Sequence, residues 1–529
     1  MTPASSPTRG EEPATDLKRA LHSIAAFKGG SIMLYRALQK RAEEFPNRTA
    51  VAGEERALSF AQLFDQATSA ARLLRQRNLA PEDRIVVGMP PSPDFYAIFY
   101  AACALGATVV PVLPSGKIPR AVLELRPALA VGDRGFLNAM ESACPLRRGT
   151  IEWDRKRGFC LPEAGTRPLA RKRLIRREKI LAVLSSGTTG EPTVQFTTAE
   201  VLLRHGQLRA KALGIGADDV LLSTRPFNNM ASIDAPVILP LVCGCKVVVR
   251  EKFQRFEAAR TIASEKVTIV YGVPVIFEML ASIPANYPAD FSSLRLCVSG
   301  GAPLPMSVFN RFYKRFGIAI RQRYGGTQFF PGFNFDRRGV PGAVGQVSGP
   351  FPMTVVTERG KRARPGEIGE IALNFMKLKS AFWRSCFKDS PDRRGRYVYT
   401  GDLGRVDTSG NLYIVGRKSP FIKVGANRVA PAEVESVMRS HPKVRDVIVT
   451  AYRPGKSDEA VRAVVVPDGR VTAQELLAYC LSRLDAYKCP RRIDFRRDLP
   501  RNAQGKIIRY DVRASDGKKT KASQPTTSK

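Results

Sequence analysis

Apolar and polar positions along the chain follow two different periods. In SIMLYRALQKRAEEFP (31–46), Met33, Tyr35, Leu38 and Ala42 belong to the apolar side of a helical repeat. Further on, short apolar runs alternate with helical stretches. RIVVGM (84–89) and ATVVPVL (107–113) read as strands, and FYAIFYAACALGA (95–107) reads as a buried helix. The theme returns at CKVVVR (245–250), VTIVYGVP (267–274), LRLCVSGG (294–301) and IAIRQRYGG (318–326). Short buried strands separated by helices predict parallel sheets covered on both faces. Past about residue 345, strand-like pieces alternate with Gly and Pro turns, as in GQVSGPFPMTVVTERGKRARPGEIGEIAL, which predicts an antiparallel unit. After GRKS (416–419), helix AEVESVMRS, strands VRDVIVTAY and VRAVVVP, and helix AQELLAYCLSRL predict a compact α+β domain.

Composition narrows the picture. Lys and Arg number 84 against 48 Asp and Glu, a formal net charge of +36. Such a surface attracts anions, from nucleotides to acidic proteins. No compact basic-aromatic module accompanies it, so no specific nucleic-acid partner is expected. The nine cysteines include no CxxC pair and sit mostly in apolar runs, which reads as reduced thiols of a cytoplasmic protein. The three histidines, His22, His205 and His441, lie far apart and near no acidic cluster, so neither Ser-His catalysis nor a zinc site is expected. No apolar run has the length of a membrane span, and MTPASSPTRGEEPATD at the N-terminus carries no secretory signal pattern.

The stretch LAVLSSGTTGEPTVQFTT (181–198) carries candidate chemistry. A Walker phosphate loop needs GxxxxGK[ST] opening a helix. Here the β-branched, alternating TVQFTT follows, so the loop joins two strands and the Walker reading fails. Backbone N–H groups and the hydroxyls of Ser185, Ser186, Thr188 and Thr189, with Gly187 and Gly190 between them, still suit a phosphate.

Five stretches in order resemble the adenylate-forming superfamily of acyl- and aryl-CoA ligases, luciferases and peptide-synthetase adenylation domains, over roughly Met33 to Tyr510. They are SSGTTGEPT (185–193), SGGAPLP (299–305), YGGTQ (324–328), YTGDLGRVD (399–407) with GRKSPFIKVGANRVAPAEVE (416–435), and LPRNAQGKIIR (499–509). The resemblance implies roles for these residues. Gly300, Gly301 and Ala302 form a wall against adenine, where small residues let the backbone approach. Tyr324 stacks on adenine, with Gly325 after it. Asp402, an acceptor-only side chain, takes the ribose hydroxyls, and Arg417 donates to ribose or phosphate. Thr327 offers its hydroxyl to the α-phosphate, and Ser419 marks a hinge. Lys506 offsets the charge that builds in the transition state. The implied reaction is ATP-dependent activation of an acyl or aryl acid, fatty acids included. An acyl-adenylate forms first, and then a thioester with coenzyme A.

The chain departs from the family pattern at several positions. Thr193 stands at the usual lysine, which implies weaker ATP binding. Gln328 stands at the usual glutamate and is a poor ligand for Mg²⁺. Ser419 replaces Asp or Lys, Ala426 a frequent glycine, and Asn229 a histidine. The implied acid pocket includes Asn229, Met230, Gly326 and Phe329. Ala231 falls near the position where amino-acid-activating members carry an aspartate, which points to an acid without an α-amine. Asp234, close by, reads either as a polar residue on a helix side or as an amine partner.

The fold expectation is α/β. A large N-terminal domain of parallel sheets covered by helices, with a small β-barrel-like unit, spans 31–418, and a small mobile α+β domain spans 419–515. Tails at 1–30 and 516–529 flank them. Two alternatives to a CoA ligase stand beside it. One is an adenylation enzyme that loads the phosphopantetheine of an acidic acyl carrier protein. The other is a degenerate, slow adenylate binder.

Overall fold

The computed structural model describes residues 32–114, 118–159, 179–184, 194–325, 334–335, 339–348, 351–388, 390, 392–418, 422–424, 427–429, 431–452 and 459–499. They group into two compact units. The first holds described residues from Ile32 to Met353 apart from Pro305–Ser307, and the second holds Pro305–Ser307 and those from Thr354 onward.

The first unit is built on two sheets. An eight-stranded sheet runs in the order Asn334–Phe335, Ile320–Tyr324, Leu296–Gly300, Ile269–Gly272, Val220–Ser223, Lys246–Val249, Thr49–Ala52, Ala57–Ser59. Its inner pairings are parallel, and only the outermost pair at each edge is antiparallel. A six-stranded sheet runs Thr150–Glu152, Leu129–Gly132, Arg84–Gly88, Thr108–Pro111, Lys179–Leu184, Val194–Thr198. It is likewise parallel except at its last pair, Lys179–Leu184 with Val194–Thr198. The expected strand-to-strand setting of the 185–193 loop is therefore met at both of its flanks, while the loop itself lies outside the described residues.

One apolar core draws on both sheets and on the helices Met33–Glu44, Phe60–Gln76, Pro93–Ala104, Ala199–Leu213 and Met230–Cys243. A second core covers the other face of the large sheet with helices Arg255–Ser264 and Pro274–Ala281. A third covers the other face of the smaller sheet with helix Arg134–Ala143. This is the α/β class expected from buried strands with near-continuous apolar runs.

Helix Met230–Cys243 lies in the middle of the first core and contains Pro236 and Pro240. A proline inside a helix removes the N–H that would bond the carbonyl four residues earlier. For Pro240 that acceptor is the Pro236 carbonyl, and the buried Tyr96 hydroxyl donates to it at 3.1 Å. One turn along helix Pro93–Ala104, the Tyr100 hydroxyl donates to the Val237 carbonyl at 2.6 Å, and Arg41 Nε donates to the Leu241 carbonyl at 3.0 Å. Helix Ala199–Leu213 packs close beside it, because a Cβ on Gly206 would lie 2.7 Å from Ile238 Cγ2.

The second unit contains antiparallel strands Gly369–Asn374, Tyr397–Val406 and Asn411–Arg417, the expected switch of texture. Its C-terminal part has strands Val444–Tyr452 and Ala460–Pro467 paired antiparallel, with helices Pro431–Arg439 and Ala473–Leu481 against them. A third strand, Arg492–Phe495, joins in parallel. No apolar run marks it in the sequence, because Ile493 and Phe495 alternate with Arg492 and Asp494. Among the described residues, no helix is long and apolar enough to cross a membrane.

Replacing Tyr96 by Phe leaves the Pro236 carbonyl buried without its donor. Denaturant unfolding is expected to show a loss of about 1–3 kcal/mol, with the fold retained.

Candidate functional site

In a parallel sheet, loops that bind ligands lie beyond the carboxyl ends of the strands. The residues predicted to hold adenine sit at two such ends. Leu296–Gly300 pairs in parallel with Ile320–Tyr324, with Gly300 opposite Arg323. The strand end therefore brings Gly300 and Gly301 beside Tyr324. Gly301 has φ +86°, a left-handed backbone that a side chain rarely adopts. The turn after it is fixed by a residue the sequence reading did not single out. Buried Gln322 accepts the Leu304 N–H at 3.1 Å and donates to the Ala343 carbonyl at 3.1 Å. Its place inside a strand, between two arginines, gave no sign of this. Tyr324 is buried, Gly325 and Gly301 are exposed, and Gly300 and Ala302 are half-buried.

Asn229 caps the proline-containing helix, its side chain accepting the Ser232 N–H at 3.1 Å, and Met230 begins that helix in a buried position. In the second unit, Gly401 takes the left-handed conformation with φ +71°. Asp402 follows, half-buried, opposite Arg417 in the neighbouring strand. Ser185, Ser186, Gly187, Thr188, Thr189, Gly190, Gly326, Thr327, Gln328, Phe329, Ser419 and Lys506 lie outside the described residues.

Behind the strand ends of Gly300 and Tyr324, on the first core's side of the large sheet, is a charge cluster that no contiguous motif marks. Asp234 pairs with Arg209, contacts Arg323 at 3.0 Å, and lies 3.2 Å from His205 Nδ1. His205, Arg209 and Asp234 have no exposed surface. The expectation that the histidines lie near no acidic cluster is thus corrected: 29 residues of sequence separate His205 from Asp234, but adjacent helices bring them together, and His441 Nε2 lies 3.6 Å from Glu475. The amine-partner reading of Asp234 is corrected as well, since two guanidiniums already occupy its carboxylate.

Arg209 Nη2 lies 2.9 Å from His205 Nδ1. A guanidinium only donates and a carboxylate only accepts, so Nδ1, within reach of both Arg209 and Asp234 Oδ1, faces partners of opposite character. Burial, partly opposed by Asp234, lowers the His205 pKa to about 4. Burial alone would raise the Asp234 carboxyl, but Arg209, His205 and Arg323 outweigh it and hold the group well below the usual carboxylate range.

This cluster makes stability depend on pH. Between about 6.5 and 4, unfolded His205 takes up a proton that the folded protein refuses, so stability falls as pH falls through that window. Unfolding measured at both ends is expected to show a loss of about 3 kcal/mol from this group, and His205→Gln is expected to lose correspondingly less.

The model of the AMP-binding enzyme family matches residues 38–374, and that of the AMP-binding enzyme C-terminal domain matches 433–506. A feruloyl-CoA synthase of Amycolatopsis sp is 29% identical over 494 residues, covering 90% of this chain and 98% of that protein. An indoleacetate–CoA ligase of Aromatoleum aromaticum is 27% identical, covering 90% and 96%. In fold, the chain is similar to ATP-bound MatB from Rhodopseudomonas palustris, with TM-score 0.77, 23% identity, and 91% and 98% of the two chains covered. The anthranilate CoA ligase AuaEII in complex with anthranoyl-AMP gives TM-score 0.77 at 24% identity, covering 91% and 96%. With the two family models matched in order along the chain, the protein belongs to the AMP-binding enzyme family and is an adenylate-forming enzyme of the acyl- and aryl-CoA ligase type.

Proposed function

We propose that the protein converts a small carboxylic acid to its coenzyme A thioester in two steps, with ATP as the energy source. In the first, a carboxylate oxygen bonds to the α-phosphorus of ATP while the bridging bond to the β-phosphate breaks. Pyrophosphate leaves and an acyl-adenylate remains. In the second, the thiol sulfur bonds to the acyl carbon, the bond to AMP breaks, and the thiol proton passes to solvent. The reading is supported by the adjacent strand ends of Gly300 and Tyr324, which belong to the stretch matched by the family model.

The residues act by position and charge, with no covalent intermediate on the protein. Gly300, Gly301, Ala302 and Tyr324 bound the adenine. Asp402 accepts from the ribose, with Arg417 as donor. Ser185, Ser186, Gly187, Thr188, Thr189 and Gly190 wrap the phosphates, and Thr327 meets the α-phosphate. Asn229, Met230, Gly326 and Phe329 face the acid. The segment 419–515 turns about Ser419 and carries Lys506 to the reacting groups for the first step. Mg²⁺ would come with the phosphates and supply charge neutralisation. Among the described residues, no group of three His, Cys, Asp or Glu is placed to hold a metal, so no step is assigned to it. The net charge of +36 favours a second reading in which the acceptor is an acidic carrier protein.

Pyrophosphate release over a panel of acids, with and without coenzyme A, tests both readings. Thioester on coenzyme A supports the first, and release without it supports the carrier reading. No release with any acid would overturn adenylation itself. Lys506→Ala is expected to lower kcat for adenylation roughly 100- to 1000-fold. Asp402→Ala is expected to raise the KM for ATP on the order of 10- to 100-fold and to leave the KM for the acid in place.

A further inference from the structure

Strand Tyr397–Val406 carries Thr400, Gly401 and Asp402 as a bulge. Against strand Gly369–Asn374, Tyr399 lies opposite Ala372 and Leu403 opposite Glu370. Thr400, Gly401 and Asp402 therefore face a single residue, Ile371, on the other strand. A bulge interrupts the ladder, bends its strand and re-aims the side chains it carries. It also parts backbone groups from their ladder partners, and those groups need new ones. On its other side the same strand pairs with Asn411–Arg417, with Asp402 opposite Arg417.

Side chains supply the new partners. The Thr400 hydroxyl donates to the Ile371 carbonyl at 2.8 Å and accepts the Asp402 N–H at 3.2 Å. Glu370 Oε1 accepts the Gly401 N–H at 3.3 Å, and Glu370 Oε2 accepts from Lys418 Nζ at 2.6 Å. The Lys418 N–H in turn donates to the Gly401 carbonyl at 2.8 Å. Both backbone groups of Gly401 are thus tied, at the residue whose φ of +71° makes the turn. The Glu370 side chain is only 12% exposed, so its contacts are screened less by water than those of a surface pair, and both are of the stronger, charge-assisted kind. One carboxylate on the first strand therefore reaches across the bulge to the residue that follows the third. Its two partners are the chain neighbours of Asp402 and Arg417.

The geometry points to Glu370 as a positioning residue for ribose recognition: by holding Gly401 and Lys418 on its two oxygens, it fixes the spacing and aim of Asp402 and Arg417. This rests on the reading above, in which Asp402 accepts from the ribose and Arg417 donates, and it adds a residue that acts through them rather than on the nucleotide. Two contacts on one side chain need two acceptor oxygens. A glutamine in its place offers one and an alanine none, so the two variants weaken the clip in steps.

The test is calorimetric binding of AMP and of its dideoxy analogue, which lacks both ribose hydroxyls, to the full-length protein. The ratio of the two affinities reads the ribose contacts and requires no turnover. The parent is expected to bind AMP roughly 100-fold more tightly than the analogue. Glu370→Ala is expected to cut that ratio at least about tenfold while the affinity for the analogue stays within about twofold. Glu370→Gln and Lys418→Met are expected to lose a smaller part of the ratio. An undiminished ratio in Glu370→Ala would overturn the role of Glu370 and leave the ribose assignment standing. An equal loss for both nucleotides would also overturn it, since a general loosening does not single out the ribose hydroxyls. If Glu370→Ala does not fold, Glu370→Gln and Lys418→Met decide: a fall in the ratio for either upholds the role, and an unchanged ratio in both overturns it. A parent that does not distinguish the two nucleotides overturns the ribose assignment itself, and the role of Glu370 with it.

Discussion

The Asp234 carboxylate is the constraint around which the first unit is arranged. It has no exposed surface, and it stays ionised because Arg209, His205 and Arg323 reach it. Arg209 comes from helix Ala199–Leu213, Asp234 from helix Met230–Cys243, and Arg323 from the strand that ends in Tyr324. Shifting any of these elements along its axis would strand a buried charge, which costs far more than an intact pair contributes. The strand that ends in Tyr324 and helix Met230–Cys243 thus share one electrostatic anchor.

Helix Met230–Cys243 shows how the fold tolerates a local rule being broken. Two prolines would normally bend or end a helix in this setting. Here the tyrosines of a neighbouring helix donate to carbonyls along its middle, at Pro236 and Val237. Helix Met230–Cys243 therefore depends on helix Pro93–Ala104, whose every residue but the last is buried.

What could be read from the sequence, and what could not, divides along contact distance. The strands RIVVGM, CKVVVR, LRLCVSGG and IAIRQRYGG were legible because buried parallel strands are apolar in themselves. The Gly300–Gly301 turn and Tyr324 were legible because their motifs are contiguous. The Asp234 cluster was not, since Asp234 and Arg323 are separated by 89 residues of sequence. The histidines were dismissed by sequence spacing, yet helix packing sets His205 beside a carboxylate. Gln322 was invisible for a related reason: its two partners lie 18 and 21 residues away, and no local pattern marks a bridging amide.

The chemistry of adenylation gives a reason for cations to serve a group other than the reacting carboxylate. As the carboxylate attacks phosphorus, negative charge moves off its oxygens. A guanidinium fixed on the reacting carboxylate would hold the ground state more tightly than the transition state and slow the step. The same guanidinium on a non-reacting group holds both states equally, so its binding free energy goes into positioning without that penalty. Arg323 is committed in this way to a non-reacting group, the Asp234 carboxylate at 3.0 Å, from the strand next to the one that carries Gly300.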